Sequence, residues 1–405
     1  MESACLRRAE GLPRGLQMAS QSNAQTMHSN TRREPIAYRR IVVKAGTTLL
    51  TGGGDRLNLQ VMATLVEQLA LLRLSGVETI LVSSGAVAAG RHVLGITRDG
   101  DPGHFRQVLA AAGQGRLMHA YEQLFDWHEI PVAQALLSRK DISERLGYLN
   151  IRNTLLTLME LRVVPIVNEN DVVAVDELKG DVFGDNDTLS AMVANLVDAD
   201  FLVMLGQVGG LFTADPNIYS EAELIETVET LDDEVAAMGG ESWDGRGQGG
   251  MATKLDAARL ATASGVDVAI ASGLEADVLT RLAGGEHIGT FFPSTADKME
   301  SRKRWMLSGL TNHGDIVVDA GASDVIRSQS SSLLPAGVHE VRGAFQRGDI
   351  VSILGSDGNR IAAGITNYDS TELDMIKGSH SSRIEEVLGH AYGDEVVHRN
   401  NMVSL

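Results

Sequence analysis

RIVVKAGT (residues 40–47) is where regular patterning begins in this chain, and its reading decides the fold. Ile41, Val42, Val43 and Ala45 form a run broken only by Lys44. The run is continuous rather than alternating, as a strand covered on both faces requires. Five more runs of the same texture follow: ETILVSS (78–84), IPVAQALL (130–137), RVVPIVN (162–168), DFLVMLG (200–206) and VDVAIAS (266–272). Amphipathic stretches at 57–74, 105–127, 151–160 and 188–196 lie between them. Strands separated by helices predict an α/β fold, a mainly parallel sheet sandwiched by helices. Such sheets bind ligands beyond the carboxyl ends of their strands, so the residues just after each strand carry the function.

Outward from this core the texture changes twice. KMESRKRW (298–305) is charged and reads as part of a linker over 297–308. Beyond it come short strands with close turns, DIVVD (315–319), GVHEVRG (337–343), DIVSILG (349–355) and RIAAGIT (360–366). They predict a small, mostly-β barrel over 309–397 following an α/β domain over 38–296. Residues 1–37 hold five arginines, few acids and no hydrophobic period. Transit peptides share that bias, but a disordered tail is the simpler reading, with Met18 and Met27 as alternative starts, and no apolar core of a secretory signal is present.

Composition excludes several classes. The chain has 405 residues, 43% hydrophobic and 22% charged, which is ordinary for a globular protein. No apolar run is long enough to span a bilayer, so no membrane partner is expected and a cytoplasmic enzyme is. The single cysteine, Cys5, leaves the folded body without disulfides, thiolate metal sites or a cysteine nucleophile. A net charge of -18 disfavours nucleic acid. The eleven histidines show no H-x-x-x-H spacing, so no resident metal site is predicted, while magnesium carried by a nucleotide stays compatible.

The strand ends hold the candidate residues. Lys44 stands at the end of the first strand, before Gly46 and Thr47, and can point its ammonium at a phosphate. Ser83-Ser84-Gly85-Ala86 ends the second strand, where small residues let an anion approach a helix start, although taken alone a plain N-cap serine explains them better. After the fourth strand come Asn168-Glu169-Asn170-Asp171 and then Gly184-Asp185-Asn186-Asp187. Two acid–amide clusters exceed what turns need, although turn and cap chemistry explains either one alone, and Asp171 with Asn186 suits the ammonium and α-carboxylate of an amino acid. Gly245-Arg246-Gly247-Gln248-Gly249-Gly250 leads into Met251-Ala252-Thr253-Lys254 and an apolar helix. Glycines and a helix start favour phosphate, and Lys254 opposes the dipole in that first turn, a poor place for a merely structural lysine. The spacing is not G-x-x-x-x-G-K-[ST]. Together the set meets the needs of phosphoryl transfer, which are positioning and positive charge.

VVKAGT, SSGAVAAGR, NENDVVAV, GDNDTLSA, GLFTADP, GQGGMATK and SSLLPAGV resemble the amino acid kinase family, and within it the glutamate kinases that carry a C-terminal PUA domain. The resemblance spans about Arg40 to Val397. It implies ATP-dependent phosphorylation of the γ-carboxylate of L-glutamate, with magnesium, as the first step of proline biosynthesis. It implies Lys44, Lys254 and Asp187 as catalytic residues, with Asp185 nearby, and Ser84, Asp171 and Asn186 as the holders of glutamate. Nucleotide contacts are implied for Lys44, Gly206, Gln207, Gly249, Gly250, Met251, Ala252, Thr253 and Lys254. Proline as a feedback inhibitor and a homo-oligomer are implied as well.

Two features depart from the family. Leu205-Gly206-Gln207 stands where Leu-Thr-Asp is usual, and the loop through Lys179-Gly180-Asp181-Val182-Phe183 is longer. Residues 309–405 hold seven Lys/Arg against thirteen Asp/Glu, which argues against RNA on the PUA domain and favours a regulatory or interface role. Two alternatives stand beside this reading: a sibling kinase acting on another acid, such as N-acetylglutamate or aspartate, and an inactive kinase fold serving as an RNA-binding or regulatory protein.

Overall fold

The computed structural model describes residues 37–96, 102–173, 186–216, 218–239, 250–294, 314–327 and 331–405. The chain divides into Met1–Ile36 and Ala37–Leu405. The first unit and the linker expected at 297–308 lie outside the described residues.

In the larger sheet β1 (Arg40–Ala45) pairs in parallel with β2 (Glu78–Ser83) on one side and β5 (Phe201–Gly206) on the other. With β3 (Val132–Leu137), β4 (Val164–Glu169), β6 (Asp267–Ser272) and β7 (Thr290–Phe292), the order is β3-β4-β2-β1-β5-β6-β7. Only β7 runs antiparallel to its neighbour. The chain therefore leaves β1 toward β2 and later returns to its opposite side, which makes the carboxyl end of β1 a switch point where a crevice opens.

The connections are helical: α1 (Thr47–Thr51), α2 (Leu59–Leu74), α3 (Ala86–Leu94), α4 (Pro102–Asp126), α5 (Arg139–Ser143) and α6 (Arg145–Glu160). They continue with α7 (Asn186–Leu196), α8 (Asp233–Met238), α9 (Met251–Thr262) and α10 (Val278–Ala283). The strand period of two splits each apolar run between two cores. Ile41, Val43 and Ala45 meet Leu69 of α2, Tyr121 of α4 and Leu279 of α10. Val42, with Ile80, Leu202 and Met204, meets Leu156 of α6, Val193 of α7 and Ala258 of α9. Lys44 shares the face of Val42, so its side chain points toward α7 and α9.

Helices α3 and α4 cross backbone to backbone. A Cβ on Gly90 would lie 1.8 Å from the carbonyl oxygen of Leu109, and one on Gly113 would lie 1.9 Å from that of Ala86. No L side chain fits at either position. This crossing carries α4 across the open end of β2 and β4.

The smaller sheet has β8 (Gly314–Val318), β9 (Val338–Gly343), β10 (Ile350–Leu354), β11 (Arg360–Ile365) and β12 (Met402–Ser404), ordered β12-β11-β10-β8-β9. Strand β12 lies past residue 397, where the sequence punctuation ended the domain, because three residues are too short to show a period.

Helix α6 joins the two sheets. Its first two turns escape the sequence reading, since Glu144 provides no side-chain cap and Gly147 interrupts the helical pattern. Those turns carry Leu149, fully buried among Ile350, Ala363, Ile365 and Val403 of the small sheet. One turn on, the buried guanidinium of Arg152 donates to Asn401 Oδ1 at 2.7 Å, the Asn400 carbonyl at 2.6 Å, the Leu196 carbonyl, and Asp198 at 2.5 Å. Burial alone would lower the pKa of Arg152, but Asp198 and Tyr148 raise it above the ordinary arginine value. Asn401 donates back to Asn153 at 2.9 Å, and Arg145 pairs with Asp349 at 3.1 Å.

Candidate active site

Three charged side chains meet where α7 and α9 approach β1. Lys44 Nζ lies 2.5 Å from Asp187 Oδ1, and Lys254 Nζ lies 3.0 Å from Asp187 Oδ2. The side chains are 4%, 12% and 0% exposed for Lys44, Lys254 and Asp187, so each charge depends on the others for stabilisation. Thr253 Oγ1 adds a hydrogen bond to Asp187 Oδ2 at 3.0 Å. Burial pushes the Asp187 carboxyl up, but the two ammonium groups outweigh it and hold it well below the usual carboxylate range. Two ammonium groups against one carboxylate leave one net positive charge at the mouth of the crevice.

The residue before Asp187 faces the other way. Asn186 Nδ2 donates to Ser84 Oγ at 3.0 Å, Asn168 Oδ1 at 3.0 Å and the Ser83 carbonyl at 3.3 Å. Asn168 in turn donates to Gln114 Oε1 on α4 at 2.7 Å. Ser84 is not an N-cap: that position of α3 belongs to Gly85, at φ +105°, where a side chain would be strained and would crowd Leu57. Ser84 is thereby free of capping and serves the amide cluster. Asp171 stands beside Arg106 of α4, with its Oδ1 3.9 Å from Nε. The first turn of α7 thus separates a cationic cluster from an amide cluster, one residue apart.

The remaining sequence candidates surround these two clusters. Gly206 ends β5 beside Lys254, with its Cβ position 3.9 Å from Lys254 Cε. Gln207 donates its amide to the Thr48 carbonyl at 3.1 Å and so ties the end of β5 to α1. Gly250 is the N-cap of α9 and makes no side-chain cap bond, which leaves the amides of the Met251–Thr253 turn for an anion. Gly249, Asp185 and the loop 179–183 lie outside the described residues.

Sequence reading missed Asn168 as a site residue, and it missed Gln114 and Arg106 altogether. Asn168 closes a strand already singled out. Gln114 and Arg106 sit inside a helix, far along the sequence from any strand end, and only the Gly113 next to Gln114 is a signal that something special happens there. Among the described residues, no group of three or more His, Cys, Asp or Glu side chains forms a metal site, and no helix is long and apolar enough to cross a membrane.

Comparisons with known proteins bear on the same residues. The amino acid kinase family matches residues 39–272, and the PUA domain matches 314–388. A glutamate 5-kinase of Dehalococcoides mccartyi (strain CBDB1) is 51% identical over 366 residues, covering 90% of this chain and 98% of its own. The glutamate 5-kinase of Herpetosiphon aurantiacus is 50% identical, covering 91% and 98%. That of Shewanella oneidensis is 46% identical, covering 91% and 99%.

Proposed function

This chain belongs to the amino acid kinase family, and we propose that it transfers the γ-phosphoryl group of ATP to the side-chain carboxylate of L-glutamate, forming γ-glutamyl phosphate. The observation that carries the reading is the Lys44–Asp187–Lys254 trio, buried at the switch point of a parallel sheet and adjoining an amide cluster suited to an amino acid. Relatives about half identical to it over nearly their whole length bear the name of that activity.

Each part has a task. A carboxylate is already an anionic nucleophile at neutral pH, so no general base is required. The work left to the protein is to align the two substrates and stabilise charge on the moving phosphoryl group. Lys44 and Lys254 approach that group from β1 and α9, and Asp187 fixes both ammonium positions before substrate arrives. The uncapped start of α9 receives phosphate oxygens. Magnesium bound to the nucleotide phosphates adds further neutralisation. Ser84, Asn186 and Asp171 hold the amino acid, with Asp171 supplying the negative charge that an ammonium needs. On this reading the enzyme opens proline biosynthesis in the cytoplasm as a homo-oligomer, with proline as its feedback inhibitor; these last features rest on family resemblance alone.

Of the sibling substrates, N-acetyl-L-glutamate lacks the free ammonium, and L-aspartate keeps it on a side chain one methylene shorter. The expected result of a panel of L-glutamate, N-acetyl-L-glutamate and L-aspartate, each with ATP and magnesium, is efficient turnover of glutamate alone. Saturation by N-acetylglutamate with no turnover of glutamate would move the substrate and leave the fold assignment intact.

A further inference from the structure

The obligate hydrogen-bonding groups at the ends of the amide cluster fix every amide in it. The backbone N–H of Glu169 donates to Asn168 Oδ1 at 2.9 Å, so the opposite atom of Asn168 is its NH2. That NH2 donates to Gln114, which must present Oε1 to it, leaving Gln114 Nε2 on the far side. Likewise the Ser83 carbonyl can only accept, so Asn186 faces it with Nδ2 and leaves Oδ1 over. Both leftover atoms, Gln114 Nε2 and Asn186 Oδ1, are buried and have no hydrogen-bond partner among the described residues.

A buried unpaired donor and a buried unpaired acceptor in one cluster are costly unless something completes them. An α-amino acid offers the complement, an ammonium for the acceptor and a carboxylate for the donor. Asn186 therefore does not supply a donor to the α-carboxylate, since its NH2 is fully engaged with Ser83, Ser84 and Asn168. We propose that Gln114 of α4 is a substrate-binding residue whose Nε2 holds the α-carboxylate of glutamate, while Asn186 Oδ1 accepts from its ammonium alongside Asp171. The proposal rests on the glutamate kinase reading and adds to it a residue and a polarity. The Gly90–Gly113 crossing has a function here, because it brings Gln114, the next residue, within reach of Asn168.

The test pairs enzyme variants with a substrate lacking the α-carboxylate charge. Gln114→Glu keeps an oxygen for Asn168 but replaces the free donor with an acceptor, and Gln114→Leu removes both groups. Steady-state kinetics are measured for each with L-glutamate and with its α-amide, which retains the γ-carboxylate, and thermal melting checks the fold. The expected result for Gln114→Glu is a glutamate KM raised about tenfold to a hundredfold, the worth of a hydrogen bond to a charged group. The KM for the α-amide should move far less, and kcat for glutamate and the KM for ATP should stay near the wild-type values. Gln114→Leu should show the same selective loss. Equal penalties on both substrates in both variants would reduce Gln114 to a structural role and overturn the proposal. A wild-type chain inert toward glutamate would instead overturn the kinase reading beneath it.

Discussion

A Lys254→Ala enzyme is expected to lose about a thousandfold in kcat while its KM for glutamate changes little, in line with removal of a preorganised group from a developing charge. A lysine in the first turn of α9 opposes the helix dipole, and its side chain is 12% exposed, so it gains little from water. Asp187 compensates by pairing with it at 3.0 Å. The variant should still fold, because Lys44 and the Thr253 hydroxyl remain to satisfy Asp187. What it loses is the positive charge in excess of that carboxylate, which is the part available to the phosphoryl group. Steady-state kinetics beside a thermal melt checks this, and a near-normal kcat in a folded variant would locate the transfer elsewhere.

The second large effect concerns the fold. Arg152→Met should lower stability by about 3–5 kcal/mol, the cost of removing one partner from a buried charged network. The methionine fills much of the same volume but leaves the Leu196 and Asn400 carbonyls and Asn401 Oδ1 without their donor. Those groups come from α7, which carries Asn186 and Asp187, and from the turn before β12. A shift in the urea denaturation midpoint reads the effect, and a loss below about 1 kcal/mol would show that the interface is held by Leu149 and its apolar neighbours instead.

Legibility in the sequence followed the strength of local signals. The runs at 40–45 and 200–206 read as strands because both faces of a central parallel strand must be apolar, and the structure has strands at Arg40–Ala45 and Phe201–Gly206. Lys44 was accessible for the opposite reason, since a charge within such a run stands out; Lys254 stood out by opposing a helix dipole, and Asp187 came only with the family resemblance. What sequence could not show was pairing across distance. Asp187 and Lys254 are separated by 67 positions, and nothing local says that one carboxylate serves both lysines. Gln114 was hidden more completely, since a glutamine within a long helix is an ordinary surface choice. Its role emerges only from the Asn168 contact. The first turns of α6 were masked by Gly147, whose Cβ would lie 2.1 Å from the Asp141 carbonyl oxygen, a tertiary constraint overriding helix propensity.

The central claim is that this chain makes an acyl phosphate on glutamate, and hydroxylamine traps such a product directly. Purified protein is mixed with ATP, magnesium and L-glutamate, with each omitted in turn, and γ-glutamyl hydroxamate is quantified. The account predicts hydroxamate only when all three are present and a loss of nearly all of it in the Lys254→Ala variant. No hydroxamate from the complete mixture, with protein shown to be folded and to bind ATP, would contradict the claim.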